Sequence, residues 1–125
     1  MTIDELTRRV LRFRDERDWK QFHNFKDMAL SLCLEAAEVL ELVQWKNGEE
    51  LDRHLAQNRE QLADELSDVL GWVLLMASDR QIDLADAFLK KLQKNEAKYP
   101  ADRVRGSSRK YTEYGDPGPQ APLKG

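Results

Sequence analysis

Apolar residues recur at helical spacing through most of the chain. The first run of them predicts a helix from residue 3 to about residue 17. Its apolar stripe consists of Ile3, Leu6, Val10 and Phe13. Thr2 and Glu5 have the spacing of a capping box, in which each side chain accepts a hydrogen bond from the backbone N–H of the other residue. The helical spacing is lost across residues 18–26, which are rich in aromatic side chains, and we interpret this segment as an ordered loop.

A second run predicts a helix that begins after an N-cap at Asp27 and continues to about Lys46. Asn47 and Gly48 follow it, and glycine is the usual left-handed terminator of a helix. The middle of this helix carries apolar residues on most of its sides. A domain of this length buries only a limited core, so we expect copies of the chain to complete one another in a homodimer or homotetramer.

The rest of the chain predicts two further helices. Residues 49–79 are helical in pattern, with a break expected near Gln57–Asn58, and residues 69–76 are nearly apolar all round, which is typical of a buried helix. Asp83 is the expected N-cap of the fourth helix, and Pro100 is expected to end it. Four helices with short connections and no strand pattern predict an all-α fold, a four-helix bundle.

Composition narrows the class of protein. At 125 residues, with 41% apolar and 34% charged residues, the chain fits one soluble globular domain. Its net charge of −3 argues against a nucleic-acid binder that relies on a basic surface. The longest apolar stretch, residues 69–77, is too short to span a bilayer, and the N-terminus lacks the pattern of a signal peptide. We therefore expect a cytoplasmic protein that binds neither nucleic acid nor membranes.

The single cysteine and the C-terminal segment complete this picture. Cys33 cannot form an internal disulfide, and its apolar neighbours predict a packed small hydrophobic side chain. From residue 101 onward the chain holds three of its four prolines and four of its six glycines. We expect a domain over residues 1–114 and a flexible tail over residues 115–125.

Two helical turns each carry a pair of carboxylates three residues apart, Glu35 with Glu38 and Glu65 with Asp68. Residues at this spacing lie about 60° apart around a helix and about 4.5 Å apart along it, so each pair points in one direction. If the two helices pack side by side, four carboxylates meet in an apolar region, where unpaired charge is costly to bury. Such hard oxygen ligands suit Mg²⁺. The alternative is that the glutamates form the solvated edge of an amphipathic helix.

These pairs and several flanking segments, taken in order, resemble the MazG-like all-α NTP pyrophosphohydrolases. E-x-x-E at 35–38 and E-x-x-D at 65–68 look like the metal motif of that family. The flanking segments are similar to its dCTP pyrophosphatase branch, and the resemblance covers roughly residues 3–114. They are RDWKQFH (17–23), QWK (44–46), ELSDVL (65–70), the K-x-x-x-N-x-x-x-Y-P run at 91–100 and RGSSRKYT (105–112).

The resemblance implies a reaction and the residues that perform it. Enzymes of this family hydrolyse a nucleoside triphosphate between its α and β phosphates with Mg²⁺, for which Mn²⁺ is a substitute. The implied metal ligands and catalytic residues are Glu35, Glu38, Glu65 and Asp68. Lys91 and Asn95, which share a face of the fourth helix, would contact the substrate. The last segment would close over the phosphates or reach a neighbouring subunit through Arg109, Lys110 and Tyr111.

A nucleobase needs a flat, apolar slot with a few polar groups. Trp19 and Trp45 fall in segments that resemble the nucleotide pocket of the dCTP pyrophosphatase branch. Trp72 follows Asp68 by one helical turn, and His23 is expected in the pocket wall. Burial in the core is the alternative for each tryptophan.

The expected function is Mg²⁺-dependent hydrolysis of a (d)NTP, with a preference for dCTP or modified dCTP, to (d)NMP and pyrophosphate, which would clean the nucleotide pool. A broad-specificity NTP pyrophosphatase is the alternative within this class. Two alternatives belong to other functional classes: a helical adaptor whose acidic face binds a basic partner, and a metal-storage bundle. The adaptor predicts solvent-facing carboxylates and no dependence on divalent ions, whereas the storage bundle predicts metal binding without hydrolysis.

Overall fold

The computed structural model of the chain describes residues 1–108, and these residues are all helical or connecting segments. Six α-helices and one 3₁₀ turn follow one another. Their bounds are α1 Ile3–Glu16, the 3₁₀ turn Lys20–Phe22, α2 Phe25–Val43, α3 Gly48–Gln57, α4 Arg59–Asp79, α5 Leu84–Lys98 and α6 Ala101–Val104. No strand occurs in this part of the chain, so the predicted all-α class is confirmed.

The chain divides into two compact units, Met1–Ile82 and Asp83–Gly125. The first unit contains α1 to α4, and its most extensive helix pair is α2 with α4. Helix α1 also packs against α4, and α3 contacts both α2 and α4. The second unit contains α5 and α6. The tail predicted at residues 115–125 lies outside the described residues, as does the segment from 109 onward.

Local side-chain chemistry explains where the helices begin. The Thr2 hydroxyl accepts a hydrogen bond from the backbone N–H of Glu5 at 3.1 Å, and Glu5 Oε2 accepts one from the backbone N–H of Thr2 at 2.6 Å. The predicted capping box is therefore present. The predicted N-cap of α2 is wrong. Asn24 caps this helix by accepting from the backbone N–H of Asp27 at 2.9 Å, and Asp27 lies in the first turn.

The breaks between helices follow polar and glycine positions. Helix α2 ends at Val43, and Gly48 opens α3 with a φ of +55°, a left-handed value that glycine adopts without strain. The predicted break near Gln57 is confirmed at Asn58, whose side-chain amide donates to the His54 carbonyl at 2.9 Å. Asp83 caps α5 as predicted, by accepting from the backbone N–H of Asp86.

The buried core of this single chain is small. Four apolar side chains within residues 1–108 are buried, Met28 of α2 and Leu74, Leu75 and Ala77 of α4. Many large apolar side chains are exposed instead. Of the described helices, none combines the length and the apolar character that crossing a bilayer requires.

One exposed row runs along α2 and consists of Leu30, Cys33, Leu34, Ala37 and Leu40. We call this row the α2 stripe. At 100° per residue it lies on about the opposite side of α2 from the buried Met28. The prediction that Cys33 is packed is therefore wrong for the single chain, because its neighbours on this side of the helix are uncovered as well.

Candidate active site

Three glutamates meet where α2 packs against α4. Glu35 and Glu38 project from α2 and Glu65 from α4, and one carboxylate oxygen of each lies within 4.8 Å of the others. Glu35 and Glu65 are half-buried, whereas Glu38 is exposed at the edge of the cluster. We call these three residues the glutamate cluster. The predicted convergence of the two carboxylate pairs therefore holds for three of the four residues.

The surroundings of the cluster disfavour the charged form of its carboxylates. Glu35 Oε2 and Glu65 Oε2 are buried and have no hydrogen-bond partner within residues 1–108. A hydrogen bond to Glu38, then burial and the neighbouring carboxylates, raise the pKa of Glu65 to about 7. Burial and hydrogen bonding to Glu38 also raise the pKa of Glu35. Buried, crowded carboxylates of this kind are stabilised by a cation.

The donor set fits a hard divalent metal ion. Carboxylate oxygens are the protein ligands that Mg²⁺ prefers, and it commonly keeps waters and takes further oxygens from substrate phosphates. Glu35 and Glu65 each have one buried oxygen without a hydrogen-bond partner within residues 1–108, and such an ion could bind to both oxygens. Because these two oxygens are buried, the solvent-facing acidic surface expected of an adaptor does not describe the cluster.

Asp68 connects the glutamate cluster to an apolar cavity. It lies outside the cluster, but its charge contributes to raising the pKa of both Glu35 and Glu65. It also lines a cavity of about 260 Å³, which we call the aromatic cavity. The residues that line it are Val10, Phe13, Arg14, Trp19, His23, Ser67, Asp68, Gly71, Trp72 and Leu75.

The aromatic cavity brings together three of the four residues predicted to surround a nucleobase. The rings of His23 and Trp72 are 5.1 Å apart, centre to centre, and those of Phe13 and Trp19 are 5.7 Å apart in an edge-on arrangement. Burial, followed by the nearby Arg14 guanidinium, lowers the pKa of His23, so this imidazole is neutral at pH 7. Flat apolar walls with a few polar groups are the usual form of a nucleobase site.

The other predicted substrate residues lie elsewhere. Trp45 is 83% exposed and does not line the aromatic cavity. Lys91 is exposed and Asn95 half-buried on α5, in the second unit, and their role stays a prediction. The three predicted residues of the last segment, Arg109, Lys110 and Tyr111, lie outside the described residues.

Sequence reasoning missed a buried ion pair beside the cavity. Arg14 donates from Nη1 to Asp79 Oδ2 at 2.8 Å and from Nη2 to Asp79 Oδ1 at 2.7 Å. These hydrogen bonds hold the pKa of Asp79 below its usual range. A signal was present, because Arg14 follows Val10 by four residues and so falls on the apolar face of α1. A charged residue on such a face is expected to have a buried partner.

The chain is similar in sequence and in fold to known proteins. A family model described as MazG-like matches residues 30–114. The chain is 41% identical to human dCTP pyrophosphatase 1 over 114 residues, which are 90% of this chain and 67% of that protein. It is 39% identical to dCTP pyrophosphatase 1 of Bos taurus, and the match covers 90% of this chain and 68% of that protein. The solved structure of a pyrophosphatase from Archaeoglobus fulgidus superposes with a TM-score of 0.73 at 34% identity, covering 78% of this chain and 91% of that one.

Proposed function

Because the chain belongs to the MazG-like family, we propose that it is a metal-dependent pyrophosphohydrolase that cleaves deoxynucleoside triphosphates, with a preference for dCTP or modified dCTP. The products are the nucleoside monophosphate and pyrophosphate, and the biological role is removal of unwanted nucleotides before they enter DNA. The observation that carries the proposal is the glutamate cluster, with two buried oxygens that have no partner within residues 1–108. The names of the similar proteins support the nucleotide as substrate.

The glutamate cluster and Asp68 form the proposed catalytic centre. Glu35, Glu38 and Glu65 would hold Mg²⁺, or Mn²⁺ in its place, and Asp68 is the fourth proposed ligand. When bound, this ion neutralises phosphate oxygens and makes a water more acidic. One carboxylate of the centre accepts the proton of the attacking water. The water oxygen bonds to phosphorus, the P–O bond between the α and β phosphates breaks, and the electron pair of that bond leaves with pyrophosphate.

The aromatic cavity is the proposed nucleobase site. At about 260 Å³ it is smaller than the roughly 300–1,000 Å³ of cavities that take drug-sized ligands. It therefore suits a nucleobase rather than a complete nucleotide. Since Asp68 lines the cavity and acts electrostatically on Glu35 and Glu65, a base held there extends its sugar and phosphates toward the metal centre.

Three further parts of the proposal concern residues beyond this cavity. Trp45 is proposed to contact the base, and Lys91 and Asn95 to contact the substrate. The last segment, through Arg109, Lys110 and Tyr111, is proposed to close over the phosphates. We also propose that the enzyme is a homodimer or homotetramer, because the α2 stripe is uncovered in the single chain.

A panel assay tests the proposal. The purified protein is incubated with canonical and 5-modified deoxynucleoside and ribonucleoside triphosphates and Mg²⁺, and pyrophosphate and phosphate are measured separately. We expect pyrophosphate with an equal amount of monophosphate, and the highest kcat/KM for a cytosine nucleotide. Equal rates on every nucleotide would favour the broad-specificity alternative. Metal binding without any hydrolysis would favour the storage bundle.

A further inference from the structure

We propose that Arg14 and Asp79 are positioning residues for the aromatic cavity. Their ion pair joins α1 to the last residue of α4 and so holds the connecting segment between α1 and α2 in place. That segment carries Trp19 and His23. The inference rests on the proposed function in one respect, namely that the aromatic cavity takes the nucleobase.

The ion pair is largely buried. Arg14 is 2% exposed and the Asp79 side chain 18%, and Arg14 Nε has no hydrogen-bond partner within residues 1–108. Replacing a buried ion pair with apolar residues of similar size is often neutral or stabilising, so such a pair is weak evidence for a stabilising role. Two parallel hydrogen bonds do, however, fix the guanidinium in one orientation. Orientation is therefore the property that the pair supplies.

The position of the pair relates this orientation to the cavity. Arg14 lines the aromatic cavity, and Asp79 lines a second cavity of about 230 Å³. His23 lines both cavities, and its Nδ1 is buried without a partner in the described chain. The ion pair thus has one member in the wall of each cavity, with His23 as the residue that the two walls share.

The backbone of Arg14 also holds Trp19 directly. The Arg14 carbonyl accepts hydrogen bonds from the backbone N–H groups of Arg17 at 3.2 Å and Trp19 at 3.1 Å. Between them Asp18 has a φ of +53°, a left-handed value that aspartate adopts more readily than most non-glycine residues. A shift of Arg14 therefore moves the turn that presents Trp19 to the cavity.

The decisive variant replaces both charges, as Arg14→Met with Asp79→Met. It leaves no unpaired buried charge, so its stability in urea is expected to match or exceed that of the wild type. The two hydrogen bonds are lost, however. If the pair positions the cavity wall, KM for dCTP rises about five- to tenfold, which corresponds to losing part of the binding free energy of one stacked base. The value of kcat is expected to change less than about twofold. A wild-type KM in this stable double variant overturns the inference.

Two single variants serve as controls. Arg14→Lys keeps the charge but lacks the two-pronged donor, so its KM is expected between those of the wild type and the double variant. It also provides the test if the double variant does not fold. Leu74→Ala destabilises the buried core of α4 at a residue that lines neither cavity. It is expected to lower stability and leave KM unchanged, and a raised KM in this variant would show that destabilisation alone produces the effect.

A second readout does not depend on catalysis. Protein labelled with 5-fluorotryptophan gives three ¹⁹F resonances, which single Trp→Phe substitutions assign. In the double variant the Trp19 resonance is expected to shift or broaden, whereas that of the exposed Trp45 stays in place. An unchanged Trp19 resonance overturns the positioning role. Absence of hydrolysis in the wild type would instead refute the proposed function, and the Trp19 resonance would still decide the inference.

Discussion

At the scale of single residues, the glutamate cluster places three carboxylates in one space, and two of their buried oxygens have no hydrogen-bond partner within residues 1–108. Glu38 helps to raise the pKa of both Glu35 and Glu65, so it interacts with each of the other two members of the cluster. Glu38→Gln keeps its size but removes its charge. We predict that turnover falls by at least about a hundredfold, as expected when a metal-centred contribution is lost. Initial rates at saturating Mg²⁺ measure this.

The folding of this variant distinguishes a metal ligand from a structural residue. Its metal-free thermal midpoint is expected to equal or exceed that of the wild type, because one repulsive charge is gone. The rise in the midpoint that Mg²⁺ or Mn²⁺ produces in the wild type is expected to disappear. Glu60→Gln makes the same change at an exposed position of α4 and should retain both activity and the response to metal. Near-wild-type turnover in Glu38→Gln would remove Glu38 from the site.

The raised pKa values of Glu65 and Glu35 predict how stability depends on pH. Glutamate in an unfolded chain has a pKa near 4.3, whereas that of Glu65 is about 7 in the folded, metal-free protein. Between these values the folded state binds more protons than the unfolded state, so its free energy of unfolding falls as pH rises. Urea titrations of metal-free protein at pH 5, 6, 7 and 8 should show this fall. In Glu38→Gln the fall should be smaller.

Substitution of Trp19 tests how much the aromatic cavity contributes to nucleotide binding. Replacing it with alanine removes stacking worth roughly 1–3 kcal/mol, so KM for dCTP is expected to rise about five- to a hundredfold while metal affinity hardly changes. Steady-state kinetics and calorimetric titration with Mn²⁺ measure the two quantities. An unchanged KM would mean that Trp19 only packs the fold. The same change at Trp45 tests the residue that the single chain leaves exposed, and no effect there would exclude it from the site.

At the scale of helices, α2 illustrates what sequence reasoning can and cannot fix. Asn24 and Asp27 are both good N-cap residues, and the aromatic character of the segment between α1 and α2 gave no helical spacing to decide between them. The structure selects Asn24. We predict that Asn24→Ala lowers the free energy of unfolding by about 1 kcal/mol. Asp27→Ala loses an interaction with the helix dipole and the exposed hydrogen bond that the Asp27 carboxylate accepts from the Asn24 side chain at 2.7 Å, and it should lower this free energy by less. Urea denaturation of both variants tests this order, and the reverse order would contradict the assignment.

Part of the candidate site could also be predicted from the sequence, and part of it could not. The direction of each carboxylate pair follows from helical geometry, so the meeting of Glu35, Glu38 and Glu65 was predictable once α2 and α4 were expected to pack together. The position of Asp68 at the cavity was not, since spacing does not reveal which side chain lies at the edge of a helix contact. The pairing of Arg14 with Asp79 joins residues 65 positions apart, and such a partner cannot be identified from local sequence.

At the scale of the whole molecule, the α2 stripe is the main feature that one chain leaves unexplained. Leu30, Leu34 and Leu40 are 56–59% exposed, whereas the buried apolar core of residues 1–108 consists of four side chains. Burying apolar surface stabilises by roughly 25 cal/mol per Å², so a row of this kind favours association. A second copy of the chain offers the same stripe, and a two-fold axis would place the two rows against each other.

We therefore predict a dimer or tetramer by light scattering at micromolar concentration. Leu34→Glu places a charge in the middle of the stripe and should shift the protein toward a monomer, because two like charges would then face each other in an apolar contact. Ala56→Glu adds the same charge to the exposed side of α3 and should leave the assembly intact.

The thiol of Cys33 gives an independent test of the assembly. Association should slow the reaction of this thiol with a thiol reagent in the wild type, and Leu34→Glu should restore the rate. A wild-type protein that stays monomeric, with a freely reactive Cys33, would refute this assembly.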